Sequence, residues 1–388
     1  MSPKQSLTRR RYLAAGVVGG IAGVAGCTTR IGDVDEREWV PELDVPNSIN
    51  SLLTERDVVD VRGAIYIPSR AYNLYQMWQH YEPAVIERDL TYATRINLNA
   101  VRTWLSYEAW RENPRGHERA LDHFLQTAAD RDISVLLGLF DGVGRSPTPK
   151  RLADTNPKSA TGLSSPPKRV LENRQLWDRP RQFVHWFMER YRDDDRLLGI
   201  EVMNEPGWKV SKKVFAREMF RTLRERRGTV PLTVGSTSIA NNAEYRRWGN
   251  EIAQFHYNFV KDRATYRTML SRVRLCRDAL DMPVWLTEWQ RTRDGRGFTA
   301  EPKPGEKTPD YASLAPTIQE AGVGNFFWSL MVKPAWVQPQ RKNGVISGVF
   351  HEDGSVWSVE DARAIKAMSG DASFDGEERP EWPEWAKA

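Results

Sequence analysis

Eight short apolar runs, rich in Val, Ile, Leu and aromatic residues, recur at 58–68, 99–106, 133–141, 197–206, 231–237, 252–258, 283–290 and 325–331. An unbroken apolar run of this length, bounded by turn residues, is the pattern of a strand buried on both faces in a parallel sheet. Between the runs the apolar positions fall at helical spacing. Over 83–97, Val85, Ile86, Leu90 and Ala93 share one face. Over 117–131 the face is Leu121, Phe124, Leu125 and Ala128, and over 181–192 it is Phe183, Val184, Phe187 and Tyr191. The same period predicts helices over 211–227, 240–249, 263–280, 310–321 and 358–368. Strand and helix alternating eight times predict an α/β protein, either a barrel or a doubly wound sheet. The count of eight, with no Gly-rich phosphate-binding turn after the first strand, favours the (β/α)8 TIM barrel.

The connections add a second signal. Segments that follow strand ends are long, at 142–179, 291–309 and 332–357, whereas returns from helix to strand are short. A barrel of this kind builds its active site from the loops at the C-terminal strand ends. The long segments therefore lie where a substrate cleft belongs, although the Lys/Ser/Pro-rich stretch 147–168 also fits a disordered insertion.

The first 27 residues carry another pattern: Arg9-Arg10-Arg11 precedes a small-residue apolar run over 13–25, ending in Val24-Ala25-Gly26-Cys27. A twin-arginine start, a short apolar stretch and a small-residue cleavage site predict an export signal. The run is too short to span a bilayer, which takes about 20 apolar residues. Its last four residues resemble a lipobox, whose cysteine is acylated and becomes the mature N-terminus; an ordinary secretory leader is the alternative. The expected organisation is a signal over 1–27 ending at lipidated Cys27, a tether over 28–50, a single barrel domain over 51–370 and a tail over 371–388. The expected location is outside the cytoplasm by the twin-arginine route, lipid-anchored to a membrane or, alternatively, fully secreted.

Setting the leader aside changes the charge. The chain carries 56 Lys+Arg against 51 Asp+Glu, but Lys4, Arg9, Arg10 and Arg11 belong to the leader, which has no acid. The remainder has 52 basic residues against 51 acidic ones, a net of +1. No nucleic-acid partner is expected from so balanced a chain, because such binding shows clustered basic surface. With Cys27 lipidated, Cys276 is the only other thiol, so no intrachain disulfide forms; it fits a packed small residue in a helix. His80, His117, His123 and His185 lack ligand spacing to cysteines or acids, so neither a metal nor a cofactor is expected. The chain reads as a monomer.

Candidate chemistry sits at two strand ends. Glu205 ends the fourth run in Asn204-Glu205-Pro206, and Glu288 lies in the seventh in Thr287-Glu288-Trp289. A carboxylate at the end of a buried strand is costly to place for stability alone. Two of them, three strands apart on a closed barrel, can face one axial pocket. Glycoside hydrolysis with retention uses such a pair at roughly 5 Å, one as nucleophile and one as acid, then base.

With Asn204-Glu205-Pro206 on the fourth strand, Asn99-Ala100-Val101-Arg102 on the second and Glu288 on the seventh, the chain resembles clan A of the glycoside hydrolases. It is most like glycoside hydrolase family 5, the cellulase and mannanase family, over most of 58–368. The resemblance implies Glu205 as acid/base, Glu288 as nucleophile, Asn204 on the sugar 2-hydroxyl and Arg102 holding the nucleophile ionised. A guanidinium beside a carboxylate lowers its pKa. Trp328 resembles the tryptophan that floors the cleavage subsite, and 348–354 resembles a turn common in the clan. A raised pKa on Glu205 and a depressed one on Glu288 would separate the two roles.

Two places depart from the family pattern. Where the sixth strand often shows His-x-Tyr, this chain has His256-Tyr257-Asn258. Neighbouring strand residues point to opposite faces, so His256 is expected to face the site, with Tyr257 joining it only if the strand end is bulged. The third strand ends in Phe140-Asp141 rather than a histidine motif, and Asp141 fits either a sugar contact or a turn cap. Tyr66, Trp104 and Trp289 fit both sugar stacking and core packing, as do Trp78, Trp208 and Trp336. The 15 tryptophans suit flat sugar faces. The function implied is retaining hydrolysis of a β-glucan or β-mannan, a polysaccharide or oligosaccharide substrate, without cofactor. The alternatives are a transglycosylase on the same site and a non-catalytic glycan-binding surface lipoprotein.

Overall fold

The computed structural model describes residues 60–387, apart from 208, 259, 261, 292–308, 337 and 343. The leader with Cys27, the tether, Trp208 and most of 291–309 lie outside the described residues.

Each predicted run contains a strand. β1 (Arg62–Ile65) leads to α1 (Leu74–Gln79) and α2 (Pro83–Arg95), and β2 (Ala100–Trp104) to α3 (Tyr107–Glu112) and α4 (Pro114–Ala129). β3 (Ser134–Asp141) is followed by α5 (Pro149–Leu152), α6 (Lys168–Leu171) and α7 (Asp178–Tyr191), and β4 (Leu197–Asn204) by α8 (Val210–Glu225). β5 (Leu232–Gly235) precedes α9 (Asn242–Trp248), β6 (Ala253–His256) precedes α10 (Arg263–Leu280), and β7 (Val284–Trp289) precedes α11 (Tyr311–Ala321). After β8 (Gly324–Trp328) come β9 (Lys333–Pro334), α12 (Gln338–Lys342), β10 (Ile346–Ser347), α13 (Val359–Ala367) and α14 (Glu384–Lys387).

The eight long-sheet strands are parallel, in the order β5-β4-β3-β2-β1-β8-β7-β6. A bridge between Thr233 on β5 and Ile252, just before β6, closes the ring. The fold is thus the (β/α)8 barrel that the pattern predicts. Helices start where a side chain satisfies a free backbone N–H. Asn73, Ser106, Asn113, Asp262 and Ser358 each cap one, and Asp310 and Ser313 form a reciprocal capping box before α11.

The barrel interior is filled by large side chains set against glycines. A Cβ at Gly63 would fall 2.3 Å from the Phe326 ring, and one at Gly138 would fall 1.9 Å from Trp104. The strands are shorter than the apolar runs, since the run over 58–68 has only Arg62–Ile65 in the sheet. Of the described remainder, 66–68 run on past the C-terminal strand end into the loop above the barrel mouth. The segment after β3 is folded there rather than an insertion without structure. Asp141 bridges Ser165 and Arg145 bridges Leu163, with Ala160, Leu163, Val170 and Leu171 buried. The β8 loop locks against it, Arg341 donating to the carbonyls of Pro157 and Ala160 at 2.7 Å each. The C-terminal stretch also packs down. Val356 exchanges backbone hydrogen bonds with Glu377 and Arg379, Phe374 is buried, and Trp385 meets Tyr72 edge-on. Cys276 is half-buried on α10. No described helix is long and apolar enough to cross a membrane.

Candidate active site

Asn204 ends β4, and the chain then turns sharply at Glu205, whose φ of +45° lies in the left-handed region. A non-glycine residue there costs about 1–3 kcal/mol and persists where the surroundings fix it. The turn has a geometric consequence. Consecutive strand residues point to opposite faces, but this reversal, with a register shift between Glu201 and Asn204, lets both Asn204 and Glu205 join one polar cluster. Gly142 permits it, because a Cβ there would lie 2.5 Å from the Glu205 carbonyl.

Glu288, on β7, comes across the mouth to meet Glu205. His256 at the end of β6 stands between them, its Nδ1 2.6 Å from Glu205 Oε1 and 3.5 Å from Glu288 Oε2. One carboxylate oxygen of each glutamate and one His256 nitrogen all lie within 4.8 Å of one another. Both glutamates keep some exposure, 23% for Glu205 and 14% for Glu288, so the pair opens toward solvent.

Beyond His256, the two-residue alternation of an extended chain selects which side chain faces the pair. Tyr257 turns outward and stacks on Tyr266 of α10, with centroids 5.2 Å apart. Asn258, back on the inner face, donates from Nδ2 to Glu288 Oε1 at 2.7 Å. The second contact at this strand end is therefore made by Asn258, and Tyr257 is corrected to a packing residue. An amide in the sequence carries no signal for this. Only its spacing of two from His256 could have pointed to it.

Arg102 is wholly buried and spends its guanidinium mainly on a carboxylate the sequence reading missed. Its Nε and Nη2 donate to Glu201 at 3.0 and 2.9 Å. Nη2 also reaches Asn204 Oδ1 at 2.9 Å, and Nη1 donates to the Thr287 carbonyl at 3.1 Å. Glu288 Oε2 stands 3.7 Å from Nη1, an ion-pair distance beyond hydrogen-bond reach. Glu201, facing inward on β4, accepts a further bond from Trp104 Nε1 at 3.0 Å. A Cβ at Gly235 would strike Glu201 at 2.6 Å, so the adjacent strand must carry glycine there. Asn204 is fixed from both ends, since its Nδ2 donates to Asp141 at 3.0 Å. Asp141 also accepts from Val143 N at 2.8 Å, so it caps the turn and orients Asn204 together.

Three aromatic candidates lie elsewhere. Tyr66 is fully buried in the strand–helix layer, donating to Asp89 at 3.0 Å and stacked on Phe124. Trp289 points outward, bonded to Asn325 and edge-on to Tyr311 and Phe327. Trp104 lies inside the barrel under the Arg102 guanidinium, 4.5 Å from its ring centre. None of the three presents a face to the carboxylate pair, because each ring is covered by core or by Arg102. Trp328, at the end of β8, keeps 9% exposure and meets Trp336 edge-on at 5.8 Å.

The charge balance of the pair reverses the sequence expectation. Burial pushes Glu205 up, but the His256 hydrogen bond and charge, aided by Arg102 and Lys212, outweigh it and leave Glu205 below its ordinary value. Burial raises Glu288, and the neighbouring Glu205 charge adds to this against His256, Arg102 and the Asn258 bond. The physical reasons are burial, which dominates at Glu288, and the close His256 contact, which dominates the lowering at Glu205. Asp141 is pushed up to about 7, chiefly by burial. Glu205, His256 and Glu288 also have the donor types of a divalent-cation site.

No protein-family model matches the chain, and no curated protein matches it. Solved structures do. An exo-β-1,4-mannosidase from Opitutaceae bacterium strain TAV5 superposes with a TM-score of 0.59 at 17% identity over 79% of this chain. This chain spans only 58% of that mannosidase's length. A glycoside hydrolase family 5 mannosidase from Rhizomucor miehei gives a TM-score of 0.54 at 13% identity, covering 80% of this chain and 92% of its own. A GH5_18 protein from Streptomyces cattleya, in complex with Manβ1-4GlcNAc, gives 0.55 at 12% identity over 82% of each chain. The chain has the (β/α)8 barrel fold that these glycoside hydrolases share.

Proposed function

We propose that this chain is a retaining glycoside hydrolase acting on β-linked glycans, with β-mannan ahead of β-glucan as substrate. The observation that carries the reading is the pair Glu205 and Glu288 at the C-terminal ends of β4 and β7, with facing oxygens within 4.8 Å. Retaining enzymes hold their carboxyls at roughly 5 Å, whereas inverting ones leave room for a water between them at roughly 6.5–9.5 Å. The preference for mannan rests on the mannosidases among the fold neighbours.

In this mechanism Glu205 protonates the departing glycosidic oxygen while Glu288 attacks the anomeric carbon. The bond to the leaving group breaks as the Glu288 ester forms. Glu205, now a carboxylate, takes a proton from water, which attacks the same carbon and releases Glu288. The His256 bond that keeps Glu205 low suits this second step, where Glu205 must act as a base. In this reading Asn204, clamped by Arg102 and Asp141, holds the sugar 2-hydroxyl, and Trp328 supports the ring. Transfer to a sugar acceptor would share the first half of this chemistry.

Product analysis on a panel of mannans, glucans and xylans tests the reading. Retained anomers, seen by NMR before mutarotation, are expected; initial formation of the inverted anomer would sink it. The pH profile gives a sharper test. The active free enzyme carries one proton on the glutamate pair, so kcat/KM rises as the first proton leaves and falls as the second leaves. His256 pulls both carboxylates down. His256→Phe therefore moves both limbs toward higher pH on an aryl glycoside, and an unchanged or acid-shifted profile would refute the assigned contacts.

The same reading has the enzyme outside the cell on a lipid carried by Cys27, supported by the lipobox resemblance alone. One acyl chain binds a membrane only marginally, at about 0.8 kcal/mol per buried methylene, and a multiply acylated cysteine holds firmly. Cys27→Ser should move the protein from the membrane fraction to the soluble one. Retention in the pellet after a salt wash would rule out the anchor.

A further inference from the structure

Loops from three strand ends are tied into one block over the barrel mouth. The β8 loop grips the β3 loop with Arg341, which donates to the Pro157 and Ala160 carbonyls, and with Gln338, which donates to the Lys158 and Ser159 carbonyls at 3.1 and 2.8 Å. The backbone joins them again, Gly162 N donating to the Trp336 carbonyl at 3.1 Å. Both loops also hold the segment after β1. Lys333 Nζ donates to the Pro68 and Ala71 carbonyls at 3.0 and 2.6 Å, and Gln76 of α1 donates to the Leu152 and Asp154 carbonyls at 2.9 and 2.8 Å. Lys333 and Arg341 are buried, and a buried cation is costly unless it is hydrogen-bonded. These ties therefore hold the loops in one arrangement.

The order β3-β2-β1-β8 is continuous in the ring. A direct tie between the β3 and β8 loops therefore crosses over the ends of β1 and β2, and the block covers that side of the mouth. Glu205 and Glu288, on the neighbouring strand ends of β4 and β7, stand at its two borders. Trp336 is the part of the block that meets Trp328. Their centroids are 5.8 Å apart and their planes 78° from parallel. Successive sugars of an extended β-1,4 chain lie in near-parallel planes, so a platform for a second sugar would lie near parallel to Trp328. Trp336 instead stands across that direction as a wall. It is also fixed in place: a Cβ on Gly162 would run into the indole at Nε1, and Lys333 Nζ lies 5.5 Å from the ring centre.

We propose that this block closes the cleft beyond the cleavage subsite, with Trp336 setting the limit, so that the enzyme removes one sugar at a time from the non-reducing ends of short oligosaccharides. The inference rests on the glycosidase reading above. There Glu205 protonates the leaving oxygen from the β4 side while Trp328 lies under the reacting ring. The leaving group departs toward Glu205, and the other end of the reacting sugar points toward β8 and Trp336. A chain continuing past that end would run into the wall.

The test gives the full-length protein mannopentaose and cellopentaose, each labelled at the reducing end with 2-aminobenzamide, and nitrophenyl β-mannoside and β-glucoside. From at least one pentaose the first labelled product is expected to be the tetraose, with free monosaccharide beside it, and the matching nitrophenyl glycoside is cleaved as well. Trp336→Ala should raise the share of labelled triose, the mark of disaccharide removal, by about tenfold or more. Trp336→Phe keeps a ring in the wall and should hold the parent pattern. The parent's own first products decide the question without any variant, so a Trp336→Ala protein that fails to fold, seen in its melting curve, leaves the test standing. Labelled triose or shorter as a first product of the parent, or a folded Trp336→Ala protein that still removes single residues only, overturns the block and leaves the glycosidase reading in place. No turnover of any of these substrates overturns both.

Discussion

Glu288→Gln and Glu205→Gln each remove nearly all turnover, by about four to six orders of magnitude on a glycan with an unactivated leaving group, and leave the fold intact. Residues that act as a unit in one transition state give losses of this size singly, and the double variant loses little more. The stability side is equally specific. Glu288 is raised by burial and by the Glu205 charge, so an amide there relieves repulsion, and the thermal midpoint should not fall. The two glutamates separate with smaller variants and azide. Azide with Glu288→Gly, where the nucleophile is gone, should give a glycosyl azide of inverted configuration. With Glu205→Gly it should intercept the glycosyl-enzyme and give the retained one. Near-native turnover in either Gln variant, or identical azide products from both Gly variants, would overturn the mechanism.

Arg102→Met should lower stability by about 3–5 kcal/mol, because it strands the Glu201 carboxylate inside the barrel. Both side chains are 0% exposed, and breaking a buried ion pair from one side leaves an uncompensated charge. The single substitution Glu201→Leu strands the guanidinium likewise. In the double variant Arg102→Met/Glu201→Leu both charges leave together, and much of the loss should be recovered, a coupling that urea unfolding of the four proteins measures. Activity should stay low in all three variants, since Asn204 Oδ1 loses its donor and Glu288 its cation. Additive stability losses would show that the pair is not a unit. The same experiment bears on the titration of the catalytic pair: with Glu201→Gln, Arg102 is released from a charged partner and should hold Glu288, the higher-titrating member of the pair, lower, moving chiefly the alkaline limb of kcat/KM toward lower pH.

The order of strands and helices was legible because each element is specified locally. A strand covered on both faces must be apolar throughout, and a helix against a barrel must be apolar on one side, so the eight units are written in the spacing of residues such as Leu121, Phe124 and Leu125. Glu205 and Glu288 were legible for a related reason: a carboxylate ending an apolar run is conspicuous where burial opposes charge. The contacts among them were not. Arg102 and Glu201 are 99 positions apart, and only closure of the barrel shows that Glu201, one more acid within an apolar strand, takes the guanidinium that the sequence assigns to Glu288. Backbone geometry decided the remainder. The left-handed turn at Glu205 breaks the two-residue alternation and gathers Asn204 and Glu205 together, while unbroken alternation beyond His256 sends Tyr257 outward and Asn258 in. Tyr66, Trp104 and Trp289 show the same limit from the other side. Composition marks an aromatic near a strand end, but which face it turns to depends on register, and register is fixed only when the strands pair.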